Sequence, residues 1–448
     1  MKLSEREFQR AKAKYMAALS RNPMDFAARN DLGLLLWNAG KRKDAFNVFV
    51  ECLQRHPQSA TAHANLAFAF LRAGSLKESR MLYEAALRLD PKHPEAKRGL
   101  AAVFAQLGTA TTDLQQLGGS ENALSTIPYR GKGKPVSALL LVSLGIGNVH
   151  IEQLLDDRTF AITKLVVELW DATKPLPEAN VVFNAIGDAE SGADALEIAQ
   201  RLVADRADVM NAPSRVLRTT REENARRLRD LGGVRTARTE RIARSVLAGD
   251  GGIQEVASRG LDFPLLLRAP GHHTGHHFTR VEAPGDLAGA AQELPGDEVY
   301  AMEYIDFRSP DGKFRKFRVM FVGGQLYPLH LAISQDWKVH YFSAQMADFP
   351  EHRAEDEAFL GDMRGFLGEG PAAALDRISK ALGLDYAGID FALDPDGNVI
   401  VFESNATMVI VNPDDDERWD YRQLPVRRVA AAARAIFLAR ATSATQPS

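Results

Sequence analysis

The 448-residue chain has a single cysteine, Cys52, so it forms no internal disulfide, and the cytosol is the expected compartment. It has no excess of one charge. Lys and Arg number 55 against 58 Asp and Glu, a net charge of -3, which excludes a global basic field for nucleic acid. No apolar run approaches the roughly 18 residues of a membrane span. The opening stretch, MKLSEREFQRAKAKYMAAL, is amphipathic and charged and lacks the apolar segment of a signal peptide. Neither nucleic acid nor a membrane is therefore an expected partner. Lysine is missing between Lys174 and Lys313. What remains is 45% hydrophobic and 25% charged, the balance of an ordinary soluble protein, at a length that implies more than one domain.

The first hundred residues repeat. DLGLLLWNAGKRKDAFNVFVECLQRHP aligns with NLAFAFLRAGSLKESRMLYEAALRLDP at an offset of 34 residues. Leu32 matches Leu66, Gly33 matches Ala67, Gly40 matches Gly74, Ala45 matches Ser79, Phe49 matches Tyr83 and Pro57 matches Pro91. A step back finds Tyr15, Ala18 and Pro23; a step forward finds Leu100, Ala101, Phe104 and Gly108. This pattern resembles the tetratricopeptide (TPR) repeat, which implies helix hairpins stacked over residues 1–108. Cys52 falls at a small buried repeat position and reads as a core residue. Such arrays usually hold a peptide or protein on their concave side; a packing or dimerisation module, hence a homo-oligomer, is the plainer alternative. Residues 109–136, rich in Thr, Gly, Ser and Pro, read as a linker, with a short helix allowed.

From Val136 the texture changes. VSALLLVSLG, KLVVELWD and ANVVFNAIGD are apolar runs separated or followed by helical stretches such as SGADALEIAQRLVAD, which argues for a parallel α/β sheet. The LGIGNVH loop lacks the third glycine of a dinucleotide fingerprint and reads as a tight turn. Thr219 or Thr220 can cap a helix running through Leu231 to Gly232-Gly233. Arg215, Arg218 and Arg221 make its start basic, which suits either a phosphate or a solvated helix face. From Asp262 on, short strands dominate. FPLLLRAP, EVYAMEYIDF, KFRKFRVMFV and QLYPLHLAIS, with PDG and GG turns, predict an antiparallel meander.

A last hairpin, DYAGIDFALDPDGNVIVFESNA, carries the sharpest geometry. With Asp396-Gly397 as a two-residue type I′ turn, Pro395 faces Asn398 and Asp390 falls opposite Glu403. Asn405 shares the Glu403 face, while Phe391, Leu393, Ile400 and Phe402 form the apolar face. Two facing carboxylates need neutralising, and hard oxygen ligands of this kind suit Mg²⁺.

Residues from about 136 to 440 resemble the ATP-grasp enzymes, in texture closest to the group of glutathione synthetase, D-alanine–D-alanine ligase and the ligase that adds glutamate to a ribosomal protein. The resemblance rests on Asp390 with Glu403-Ser404-Asn405, on Met302-Glu303-Tyr304-Ile305, on the Arg318 strand and on FPLLLR. It implies a multidomain chain: an all-α TPR array over 1–108, a linker over 109–136, an α/β pre-ATP-grasp domain over 137–212, an α+β ATP-grasp domain over 213–440 and a disordered tail over 441–448. It further implies ATP and Mg²⁺ as cofactors, with Asp390, Glu403 and Asn405 on the metal. Arg268, standing where the family's lysine would, and Arg218 or Arg221 would take phosphate. Glu303, Tyr304 and Ile305 would line the adenine, and Arg318 would stabilise the reacting group. The implied activity is ATP-dependent carboxylate–amine ligation through an acyl phosphate, with the repeats recruiting a peptide or protein; an altered ATP-binding scaffold or a kinase is the alternative. Lys316 stands where the family often has aspartate. The loop GHHTGHHF, with His272, His273, His276 and His277, reads as a lid over phosphates, against a transition-metal site or a solvated loop.

Overall fold

The computed structural model describes residues 5–107, 113–115, 119–271, 277–339, 344–408, 410, 413 and 416–443. They fall into two compact units, 1–146 with 151–179, and 147–150 with 180–448. Among the described residues no helix is long and apolar enough to cross a membrane.

The first unit opens with six helices: α1 (Glu5–Arg21), α2 (Phe26–Asn38), α3 (Arg42–Arg55), α4 (Ala60–Arg72), α5 (Leu76–Leu89) and α6 (Pro94–Gln106). The 34-residue step is visible in their caps. The side chains of Asp25, Ser59 and His93 accept from the backbone N–H three residues on, at 3.0, 3.2 and 3.3 Å. Packing repeats as well. Leu32, Leu66 and Leu100 are buried, as are Phe49 and Tyr83, and a β-carbon at Gly33 would overlap the Phe49 ring. At the position of Ala45 the next repeat has Ser79, whose hydroxyl is satisfied internally by donating to the Ala67 carbonyl at 2.9 Å. Cys52 is buried, and burial pushes its thiol pKa up, as expected of a core residue.

Beyond α6 the segment read as a linker contains an ordered strand, β1 (Leu124–Ile127). It pairs antiparallel with β3 (Phe160–Val166), which runs parallel to β2 (Val136–Val142). The Thr- and Gly-rich composition hid the alternating LSTI segment that forms this edge.

The second unit contains β4 (Val181–Asn184) and two further sheets. One is formed by β5 (Val234–Thr236), β10 (Phe314–Val322), β11 (Gln325–Ser334), β12 (Tyr386–Leu393) and β13 (Val399–Asn405), in the order β11-β10-β12-β13-β5. The other is formed by β6 (Thr239–Ala243), β7 (Leu265–Arg268), β8 (Phe278–Val281) and β9 (Glu298–Glu303), in the order β6-β9-β7-β8. The expected single meander is therefore divided. The chain leaves one sheet after β9 and enters the other at β10, because the connection over 304–313 is a crossing rather than a hairpin turn. Phe317 and Phe391 stack at 5.1 Å on one face of the first sheet, and Phe359 and Phe366 of the following helices pack on Phe317. That apolar face leaves the opposite face for polar side chains. The final helix, Gln423–Ser443, continues three residues into the segment expected to be a tail.

Candidate functional site

The β12–β13 hairpin reaches the expected pairing by a different route. Asp394 N–H donates to the Asn398 carbonyl and Gly397 N–H to the Asp394 carbonyl, both at 3.0 Å, so the loop holds three residues rather than two. Gly397 takes φ +81°, the left-handed position of such a loop, and Asp394 Oδ1 accepts from Asp396 and Asn398 N–H. The register then starts one residue out, with Leu393 opposite Val399. A bulge at Phe402 restores it, and Asp390 faces Glu403. Phe402 is thereby lifted from the apolar face it was expected to join. It is half-buried, with its ring 4.8 Å from Phe307.

Across the sheet, one row of register partners reads His330, Arg318, Asp390, Glu403. Lys316 precedes Arg318 by two residues and shares its face. Arg318 grips Asp390 with Nε on Oδ1 at 2.6 Å and Nη2 on Oδ2 at 2.9 Å, and Lys316 Nζ adds a third bond to Oδ2 at 3.1 Å. Asp390 is only 4% exposed. Burial alone would raise its pKa, but Arg318 and then Lys316 outweigh it and hold the carboxyl far below the usual carboxylate range. His330 is buried behind this pair, and burial, with Arg318 adding to it, pushes its pKa well down.

Glu403 has its own cation. The helix Arg221–Leu228, capped by Thr220 Oγ1 accepting from Glu223 N–H, points Arg221 at β13. The helix ends at Leu228, short of the expected Leu231. Arg221 donates to Glu403 Oε2 at 2.8 Å and to the Phe402 carbonyl at 3.1 Å, while Asn405 Nδ2 donates to Glu403 Oε1 at 2.7 Å. Asn224 fixes the same helix to β13 through the Ser404 carbonyl at 2.6 Å.

Arg268, the last residue of β7, is buried, with Arg221 as a cationic neighbour; burial first and then Arg221 lower its pKa to about 10. Two residues that sequence reasoning missed complete the group. Tyr300, opposite Arg268 in β9, donates to Glu190 Oε1 at 3.0 Å and accepts from Arg241 at 2.8 Å. Burial and then Glu190 raise its pKa to about 12. Glu190 Oε2 accepts from Gly271 N–H at 3.1 Å, at the start of the histidine-bearing loop. Tyr300 reads in the sequence as an ordinary strand aromatic, and Glu190 lies in a loop with no motif.

The remaining expected residues divide. Arg218 is exposed, 61% at its side chain, and pairs with Glu223 instead of joining Arg221 and Arg268. The Glu303 N–H donates to the Arg238 carbonyl at 2.8 Å, and its carboxylate holds Arg238 N–H and Arg235, so that backbone donor is already in use. Tyr304 lies under the Arg280 guanidinium at 3.9 Å, and Ile305 is buried. His272, His273 and His276 lie outside the described residues; the His277 carbonyl accepts from Ala269 N–H at 3.0 Å.

A solvent-open cleft runs along this group. Its lining combines the apolar Ala225, Ala237, Met302 and Val401 with the charged Arg221 and Glu403. Asn405 and Glu190 also line it. The fit of Mg²⁺ to the hairpin can be tested directly. Both oxygens of Asp390 carry bonds from side-chain cations, Glu403 carries Arg221 and Asn405, and Asn405 Oδ1 accepts from Thr407 N–H and Oγ1 at 3.0 and 2.8 Å. The expected ligand set is brought together, but as a closed set of ion pairs, and it does not fit a divalent ion.

Residues 36–103 and 2–60 match sequence profiles of the Tetratricopeptide repeat. No curated protein sequence matches the chain. Among solved structures, it is similar to carboxyaminoimidazole ribonucleotide synthase from Aspergillus clavatus complexed with ATP, at 13% identity and a TM-score of 0.40, over 61% of this chain and 71% of that one. It is similar to the D-alanine-D-alanine ligase from Coxiella burnetii at 12% identity and a TM-score of 0.43, over 69% and 96%. It is also similar to the ATP-grasp ligase PsnB complexed with precursor peptide PsnA2 and AMPPNP, at 14% identity and a TM-score of 0.40, over 69% and 100%. With its 34-residue step in both sequence and structure, the helical array of residues 5–103 is a tetratricopeptide repeat array.

Proposed function

We propose that residues 180–448 form an ATP-dependent ligase module of the ATP-grasp kind, with the repeats recruiting a peptide or protein substrate in the cytoplasm. The observation that carries this reading is the cleft itself, which combines apolar side chains suited to a base with the guanidinium of Arg221, near which Arg268 lies. Two guanidinium groups held close in a site from which water is partly excluded favour an anion with several oxygens, such as a polyphosphate. The motif residues Arg318, Asp390, Glu403 and Asn405 support the reading by their convergence on one sheet face.

In this reading Arg268 and Arg221 orient the phosphates, and Tyr300 holds Glu190 where it accepts from the Gly271 N–H. A substrate carboxylate attacks the terminal phosphorus, ADP leaves, and an amine displaces phosphate from the acyl phosphate to form an amide. The chain contributes positioning and fixed positive charge. The test is to incubate the protein with ATP, hydroxylamine and a panel of amino acids and peptides. A hydroxamate formed together with stoichiometric ADP supports the acyl phosphate. ATP binding without a hydroxamate from any carboxylate would favour a second reading, a nucleotide-gated scaffold without turnover, which the closure of Asp390 by Lys316 and Arg318 specifically favours.

A further inference from the structure

The hairpin carboxylates stand among protein cations. Lys316 and Asp390 are 13% and 6% exposed at their side chains and 3.1 Å apart, and Arg318 takes the remaining positions on the same carboxylate. Glu403 is held by Arg221 in the same way. A divalent ion bridging these carboxylates would have to enter between each of them and its cation, against like-charge repulsion from Arg221, Lys316 and Arg318.

Resting on the nucleotide reading above, we propose that this site takes the polyphosphate of a nucleotide without a divalent cation, the Lys316 ammonium holding Asp390 where a metal ion would otherwise bridge. The fixed cations support it. Arg221, Arg268, Lys316 and Arg318 stand among Glu190, Asp390 and Glu403, and Asp188 lines the same cleft. A polyphosphate beside Arg221 and Arg268 meets positive charge already fixed in place. Arg268 keeps its proton at neutral pH even with its pKa lowered to about 10. Burial lowers that pKa most, and an anion placed between Arg268 and Arg221 relieves the smaller part that comes from Arg221. Lysine is suited to the substitution. It is a compact point charge that can share Oδ2 with Arg318, whose planar fork spans both carboxylate oxygens.

The experiment is calorimetric titration of the full chain with ATP, once in EDTA and once in excess Mg²⁺, with the Lys316→Met variant alongside. For the parent, the Kd is expected to differ by less than about threefold between the two conditions. For Lys316→Met, which removes one of the two cations on Asp390 Oδ2 and leaves Arg318 as the only one, binding is expected to become Mg²⁺-dependent, weakening by at least about tenfold in EDTA. A parent that loses about tenfold or more in EDTA overturns the proposal and leaves the nucleotide reading intact. No binding by the parent in either condition overturns that reading and the proposal with it. A folded Lys316→Met protein as indifferent to metal as the parent would show that Lys316 is not the substituting cation. The parent's two titrations decide the matter even if the variant does not fold.

Discussion

The repeat array and the charged sheet face solve opposite problems. In the array, residues 34 apart do the same work: Asp25, Ser59 and His93 cap helices, while Leu32, Leu66 and Leu100 fill the core. Its partners are close in sequence and its stabilising contacts are mostly apolar. On the sheet face, Arg318 and Asp390 are 72 residues apart and Arg221 and Glu403 are 182 apart, and the contacts are between charges. Apolar burial tolerates changes of pH and salt, whereas buried ion pairs fail as soon as one partner is removed. The two regions should therefore respond differently to the same kind of insult.

The largest effect is expected in the array. Phe49→Ala removes a ring that is 1% exposed and packed within the cluster of Leu32, Leu36 and Leu66. A cost of about 3–5 kcal/mol is expected, read as a lower thermal midpoint of the helical transition. The loss should be equal at pH 5 and pH 8. A strongly pH-dependent loss would break the contrast between the regions.

Asp390→Asn comes next. It leaves Lys316 and Arg318 facing each other without the carboxylate, at an expected cost of about 3 kcal/mol to the second unit without any ligand. An open metal site makes the opposite prediction, since removing one of two facing carboxylates would then relieve repulsion. Denaturant unfolding in EDTA distinguishes the two. Glu403→Gln should cost less, about 1–2 kcal/mol, because the Glu403 side chain is 23% exposed and water can take over part of Arg221's hydration. If Asp390→Asn proved as stable as the parent, or Glu403→Gln proved the costlier of the two, the assignment of which pair is structural would be reversed.

How much of this was legible follows from the same contrast. A 34-residue step puts every helix of the array in view, down to the exchange of Ala45 for Ser79. The Asp390, Glu403 and Asn405 cluster was legible too, because strand alternation fixes which residues share a face. The loop length was not: Asp-Gly also serves a three-residue loop, and nothing in Val401-Phe402 announces a bulge. Two one-residue offsets cancelled, so the pairing came out as expected while Phe402 did not. Lys316 was visible as a departure from a motif, but its partner is 74 residues away and its role follows only from the register of β10 against β12. Glu190 and Tyr300 had no local signature, since their contact spans 110 residues between a loop and a different sheet. The division of the meander was hidden because a turn within a sheet and a crossing between sheets can use the same Pro, Asp and Gly.

The smallest effect sharpens the comparison on the pH axis. His330 is buried opposite Arg318, with Asp390, Lys316 and Arg422 as its other charged neighbours, and burial followed by Arg318 holds its pKa well below the ordinary value. In the unfolded chain it titrates near about 6.5. As pH falls through that value, the unfolded state gains a proton that the folded state does not, so stability falls with pH. The window runs downward from about 6.5 to the lowered folded pKa, and the slope for one such group is at most about 1.4 kcal/mol per pH unit. His352, whose pKa is lowered by burial and then by Lys313, adds a slope of the same sign. Asp390 acts in a separate window: its pKa is lowered, so its contribution is present above about 3.9 and is lost only in stronger acid. His330→Leu should therefore flatten, without abolishing, the loss of stability of the second unit between about pH 6.5 and 5, as measured by denaturant midpoints at half-unit steps. The comparison is of slopes, so a constant offset from repacking does not disturb it. An unchanged slope would mean that His330 takes up its proton in the folded state as readily as in the unfolded chain, and that the charged row is open to water at its far end.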